Sequence, residues 1–307
     1  MKQKSLTFIY LILLFAMLCW GASFVFTAAL LPMLDPISII FSRLVISSAL
    51  LWVVVLLFFR KQKLTKSLLK WIFLLALFEP FIYFLGETYG LQRVSPVIVS
   101  IIISTIPVFT AITMSIFFQA KLTAINFLGI FISLFGVLCM LINKDLTFSA
   151  DLIGVLLIFI AVFSTIGCGV ILHKLSKDTH PIWLVTIQNT FGILLFLPLF
   201  LLLREVPNYE SGEALFSFLS VKGTMWFCII MLAVFCSTLA FIFYIFAIRS
   251  IGVAKSNVFS NLIPIVTAII SYFLLDEKFT PLKIAGIIIV IFGLILTQRK
   301  TNKGIKI

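Results

Sequence analysis

Ten stretches of about 20 apolar residues follow one another along this chain, and each is long enough to cross the hydrocarbon core of a bilayer as one α-helix. They lie at 8–31, 37–59, 68–91, 95–118, 123–142, 152–173, 181–203, 224–248, 253–274 and 281–297, and are numbered here as spans 1 to 10. Pro36, Pro96, Pro181 and Pro281 sit at or near span starts, where the missing N–H costs a helix little. The long connection is Arg204–Gly223, with Pro207, Asn208 and Gly212. The other turns are tight, so most neighbours form antiparallel hairpins. Of the 307 residues, 62% are hydrophobic and 11% charged. A soluble domain is about 45–50% apolar and about 25% charged, which excludes a water-soluble globule. Disorder, which needs low hydrophobicity and high charge, is excluded with it.

The formal net charge is +12. In a soluble protein that excess would point to nucleic acid. Here no basic run is interleaved with exposed aromatics, and Lys and Arg gather in the cytoplasmic loops of membrane proteins. With the N-terminus in the cytoplasm, sixteen of the 23 basic residues fall on that side, among them Lys2, Lys4, Arg60, Lys61, Lys63, Lys66, Lys70, Lys121, Lys174, Lys177, Arg249 and Lys255. Six fall opposite: Arg93, Lys144, Arg204, Lys222, Lys278 and Lys283. Arg43 lies inside span 2. Both termini inside requires an even number of spans, which ten satisfies. Span 1 is too long for a signal-peptide core of about 7–15 residues and is read as retained. Cys19, Cys139, Cys168, Cys228 and Cys236 lie in apolar stretches without a C-x-x-C pair, and read as small hydrophobes. His173 and His180 have too few ligands nearby for a metal. No metal and no cofactor are expected.

The chain repeats itself. At an offset of 157, Ile106-Pro107-x-x-Thr110-Ala111-Ile112 matches Ile263-Pro264-x-x-Thr267-Ala268-Ile269, Lys121 matches Lys278, Gly129 matches Gly286, and Phe135-Gly136 matches Phe292-Gly293. Apolar composition makes Ile match Ile, but not proline, lysine and two glycines. Upstream, Pro36 and Pro181 open spans 2 and 7 at an offset of 145, which aligns Arg43 with Gln188. The units are residues 8–142 (spans 1–5) and 152–297 (spans 6–10). Five is odd, so the second copy enters the membrane from the opposite side. Inverted repeats of this kind build alternating access in many secondary transporters; duplication without transport is the plainer alternative.

These residues resemble the EamA-type permeases of the drug/metabolite transporter superfamily. The resemblance covers nearly the whole chain. It is carried by Trp20-Gly21-Ala22-Ser23-Phe24, Pro36 with Phe41-Ser42-Arg43, Tyr89-Gly90-Leu91, and the blocks Pro107…Gly129…Gly136 and Pro264…Glu277-Lys278…Gly286…Gly293. It implies an all-α integral membrane protein of ten transmembrane helices in two inverted five-helix repeats, placed in the inner membrane and exporting metabolites such as amino acids. The first copy departs from the pattern, with Ala120 where Glu277 stands in the second. A capping or turn role suits that acid better than catalysis.

Charges at membrane depth cost several kcal/mol and normally face a cavity or a partner. Arg43, Glu79 and Glu87 are such charges. Span 2 descends from Pro36 and span 3 rises towards Leu91, so Arg43 and Glu87 meet at similar depth. The expectation is an ion pair, or a network with Tyr83 and Tyr89. It would be a fixed lock between helices, or a gate or handle for a zwitterionic substrate. Glu79 lies near mid-membrane beside Pro80, which frees the carbonyl of Ala76. It is a candidate for proton or substrate binding, or a protonated structural acid.

Ser100 and Ser104, and their repeat partners Asn257 and Asn261, are spaced by four and precede Pro107 and Pro264. They would line a central cavity, or bond neighbouring helices. Gln188, Asn189 and Trp20 are further candidates for the substrate pathway, Trp20 equally for plain packing. Pro80, Pro107 and Pro264 are candidate kinks or hinges. Gly129, Gly136, Gly286 and Gly293 allow spans 5 and 10 to pack closely, or to form a dimer face, leaving monomer and homodimer both open.

No G-x-x-x-x-G-K-[S/T] motif encodes an ATP engine. The membrane segments lack the His pair, Asp pair or G-x-S-x-G an intramembrane enzyme would use. The reading is a secondary transporter, not an enzyme, with a small-molecule substrate and the bilayer as its partners; proton coupling through Glu79 is a hypothesis that its depth alone motivates. The alternative is an uncoupled facilitator or channel-like permease.

Overall fold

The computed structural model describes residues 6–59, 64–118, 123–141, 150–216, 218–252, 256–278 and 280–297. Lys2, Lys4, Arg60, Lys61, Lys63, Ala120, Lys121, Lys144, Lys255, Arg299, Lys300, Lys303 and Lys306 lie outside them, as do the side chains of His173, Lys174 and Lys177.

The protein is an all-α membrane protein, and ten apolar spans are present among the described residues. They are Leu6–Leu30, Pro36–Phe58, Lys66–Leu91, Pro96–Ser104 continued by Ile106–Phe118, Ala124–Leu141, Leu152–Asp178, Pro181–Leu203, Val221–Ile251, Val258–Leu262 continued by Ile263–Leu274, and Pro281–Thr297. Spans 1–3 and 6–8 are the long ones, and spans 4, 5, 9 and 10 are shorter. Span starts follow local chemistry. Asp35 Oδ1 accepts from the Ser38 amide one residue before Pro36, Asp151 caps span 6, and Ser220 caps span 8. Each oxygen satisfies a backbone N–H that has no partner within the helix. Span 6 runs five residues past its expected end, to Asp178. Helical hydrogen bonding continues there beyond the apolar run, because it does not depend on lipid.

Packing follows the repeat. Span 5 packs on 10, span 2 on 7, and span 4 on 9. The contact of span 3 with 6 has its counterpart in 8 with 1; 4 with 6 in 9 with 1; and 3 with 7 in 8 with 2. Exchanging each span for the one five places on therefore reproduces the principal contacts. Spans 5 and 10 approach backbone to backbone. A Cβ added to Gly293 would lie 2.3 Å from the Ser133 amide nitrogen, and one on Gly136 would lie 2.7 Å from that of Val290. The glycine seam is thus an in-chain contact.

Two spans are wound loosely at mid-length, again in equivalent places: span 3 over Leu77–Ile82 and span 8 over Met231–Leu239, both π-helical. In span 3, Pro80 removes a donor, and the backbone at Glu79 leaves the helical region (φ −140°, ψ 115°). Spans 4 and 9 change winding just before Pro107 and Pro264, the second residues of their continuing helices. In the turn joining spans 9 and 10, Glu277 donates its amide to the Ser271 carbonyl and pairs with Lys283 Nζ at 3.4 Å.

Candidate functional site

Between the two halves lies a cavity of about 80 Å³, walled by spans 1–4 and 6–9. The paired spans 5 and 10 contribute none of its lining. That volume has room for a few waters or a small polar solute. Its charged residues are Arg43, Glu79 and Glu87. Trp20, Tyr83, Gln188 and Asn257 also line it.

Arg43 is 2% exposed. Its guanidinium lies over the Phe84 ring, 4.3 Å from the centroid, and Nε donates to Ser237 Oγ at 2.8 Å. The expected ion pair with Glu87 is not formed: no salt bridge among the described residues joins them. Span 8 packs against span 2 and offers Arg43 a nearer acceptor. Arg43 Nη1 and Glu87 Oε2 are both buried without a hydrogen-bond partner. Tyr83 stands on the cavity wall, whereas Tyr89 lines a separate cup of about 470 Å³ with Asp35, Gln92, Glu205 and Asn208.

Glu79 Oε2 accepts from Cys168 Sγ at 3.1 Å. The carbonyls of this loosened turn that find side-chain donors are not that of Ala76 but those of Phe78 and Glu79. Ser164 Oγ donates to the first at 2.6 Å, and Gln188 Nε2 to the second at 2.6 Å. Gln188 Oε1 is left buried and unpartnered. Its neighbour Asn189 does not line the cavity; its amide donates to Ser47 Oγ at 2.8 Å. Trp20 donates its indole N–H to the Cys236 carbonyl at 3.3 Å and meets Phe241 and Tyr244 edge-on, forming an aromatic wall.

The two polar rows separate. Ser100 and Ser104 are fully buried, donate to the carbonyls of Val97 and Ile101, and stand off the cavity. Span 4 lines it with Ile103 and Ile106 instead. Serine hydroxyls in helices often turn back on their own backbone in this way. On span 9 the polar lining residues are Asn257 and Ser260, not Asn257 and Asn261. That segment is wound as a 3₁₀-helix, in which residues three apart share a face. Tyr244 donates its hydroxyl to Asn257 Oδ1. Cys168, Thr165, Ser237 and Tyr244 carry no sequence signal for a site, since all are uncharged and lie in apolar runs. Among the described residues no cluster of three or more His, Cys, Asp or Glu could hold a metal.

An all-α bundle of apolar spans around a cavity that is largely apolar but bordered by Arg43, Glu79 and Glu87 describes a multi-pass membrane protein of the transporter kind. The profile of the EamA-like transporter family matches residues 7–142 and again 152–299, and the chain belongs to that family. Two Archaeoglobus fulgidus proteins described as uncharacterized transporters are similar along their whole length. One is 25% identical, over 95% of this chain and 99% of its own; the other is 27% identical, over 96% and 98%. The Bacillus subtilis uncharacterized transporter YvbV is 24% identical, over 98% of this chain and 95% of its own. A solved crystal structure shares the fold, with a TM-score of 0.66 at 13% identity over 94% of this chain and 97% of that one.

Proposed function

We propose that the protein is a secondary transporter of small organic metabolites such as amino acids. It works by alternating access about the central cavity and moves its substrate outward. The supporting observation is that three residues bordering the cavity, Arg43, Glu87 and Gln188, each carry a buried polar atom without a hydrogen-bond partner: Nη1, Oε2 and Oε1. A buried polar group without a partner costs about 1–3 kcal/mol. A solute carrying both an anionic acceptor and an N–H donor would match them if these side chains turned towards the cavity they border. The near-symmetric contacts of the two five-span halves support rocking between this packing and the one obtained by exchanging the halves. In this reading both termini face the cytoplasm, the cup bounded by Asp35 and Glu205 opens outward, the inner membrane is the site of action, and Glu79 carries a coupling proton.

The test is uptake into proteoliposomes from a pool of labelled metabolites rich in amino acids, with and without a pH gradient, comparing wild type with Glu79→Gln. The reading expects saturable uptake of one solute class, accelerated by the gradient in wild type alone. Full gradient dependence in Glu79→Gln refutes the proton role. Non-saturating flux makes the protein a channel-like permease.

A further inference from the structure

Arg43 and Gln188 hold the same place in the two halves, each the eighth residue of its span, counted from Pro36 and Pro181. Each reaches into the opposite half. Arg43 Nε bonds Ser237 Oγ in the loosened turn of span 8, and Gln188 Nε2 bonds the Glu79 carbonyl in the loosened turn of span 3. Each has a second polar atom, Nη1 or Oε1, that is buried and without a partner, and each side chain borders the cavity. The bonds run crosswise at two positions that the repeat makes equivalent.

A π-helical turn is a weak point in a membrane helix, because its hydrogen-bond ladder is strained or interrupted. Lipid offers no hydrogen-bond partner to the freed groups. Side chains must therefore hold such turns. In span 3 the Glu79 carbonyl has left the ladder, and Gln188 supplies its donor. Span 8 has no proline or glycine in Met231–Leu239. There the carbonyls of Ala233, Cys236 and Ser237 accept from Thr238 Oγ1, Trp20 Nε1 and Asn189 Nδ2, and Arg43 holds the turn through the Ser237 hydroxyl.

We propose that Arg43 and Gln188 are paired positioning residues. Each pins the loosened turn of the opposite half with one end and offers its other end to the solute in the cavity. Solute and hinges then share the same two side chains. An acceptor group meets Arg43 Nη1, an N–H or O–H donor meets Gln188 Oε1, and occupancy alters the grip on both turns together. The solute's part in this rests on the transporter reading; the pinning itself does not.

The experiment is hydrogen–deuterium exchange by mass spectrometry on the full chain in lipid nanodiscs, without added solute. It compares wild type, Gln188→Met, Ser237→Ala and Ser237→Thr. Loss of one hydrogen bond that pins a turn raises exchange there by about fivefold or more. Gln188→Met is expected to speed exchange over 77–82 and leave 231–239 at the wild-type rate. Ser237→Ala does the reverse, and Ser237→Thr restores the wild-type pattern. Should Gln188→Met not fold, Gln188→Ala replaces it. Unchanged exchange in the pinned turn, or equal loosening of both turns by either variant, overturns the proposal. Neither result depends on finding a transported solute, so failure here and failure of the transporter reading are separate outcomes.

Discussion

Alanine at Gly293 inserts a methyl group into the seam between spans 5 and 10. The new Cβ would lie 2.3 Å from the Ser133 amide nitrogen, 2.7 Å from its Cα and 2.8 Å from the Gly129 carbonyl oxygen. All three are backbone atoms, so no rotamer change relieves the clash. Ordinary contact begins near 3.4 Å, so the two helices must part by about 1 Å. A gap of that size forfeits a quarter to a half of the dispersion energy of each contact it opens. Overpacking of this kind costs about 1–3 kcal/mol, and the backbone clash places Gly293→Ala at about 2–3 kcal/mol. The partner contact of Gly136 with Val290 and Gly286 opens with it. The control is Gly169→Ala, where a Cβ meets nothing within 4 Å; in a helix interior that change is worth up to about 1 kcal/mol in the stabilising direction. Equilibrium unfolding of purified protein in mixed micelles, followed by circular dichroism, measures both. A Gly293→Ala protein with a midpoint at or above wild type would refute the seam as described.

Thr190 accepts the Trp52 indole N–H at 2.9 Å and pairs with Ser48; Thr190→Val leaves that indole unpartnered, costs about 1–3 kcal/mol, and moves its hydrogen-bond-sensitive emission to the blue in a Trp52-only background. Arg43→Ala removes the cation from the cavity, so uptake by folded protein in proteoliposomes falls by about 10- to 100-fold, the worth of one charged hydrogen bond. The Arg93 hydrogen bond, with those of the Gly154 and Ile153 amides, holds the Asp151 carboxyl below its ordinary value. A depressed carboxylate stabilises the fold above its unfolded value near 4 and loses that contribution as pH falls through the folded value. Asp151→Ala therefore melts lower than wild type at pH 7, and the two converge on acidification; a gap of constant size down to pH 3 contradicts the assignment.

The number of spans, the capped or proline-marked starts of spans 2, 6 and 7, and the sites of winding change at Pro80, Pro107 and Pro264 were legible because each has a local cause: apolar length, a cap, a missing N–H. The glycine seam was legible as a close approach, but its partner was left open, since spacing does not say which helix comes near. What escaped is non-local. Arg43 turns to Ser237, 194 residues away, and depth along span 3 could not reveal that span 8 was nearer. The loosened turn of span 8 has no proline to announce it. Ser100 and Ser104 share a face, as their spacing implies, yet a hydroxyl that bonds its own helix needs no cavity. Asn257 parts from Asn261 because the winding changes from 3.6 to about 3 residues per turn.

Alternating access, as proposed, requires the central cavity to open to each side in turn. Cys168 lines that cavity and is a native thiol. The measurement is labelling of Cys168 by a small membrane-impermeant thiol reagent, applied to one side and then the other of vesicles of known orientation, with the modified peptide located by mass spectrometry. Alternating access predicts that Cys168 is labelled from both sides. Labelling from one side only, or from neither, contradicts it.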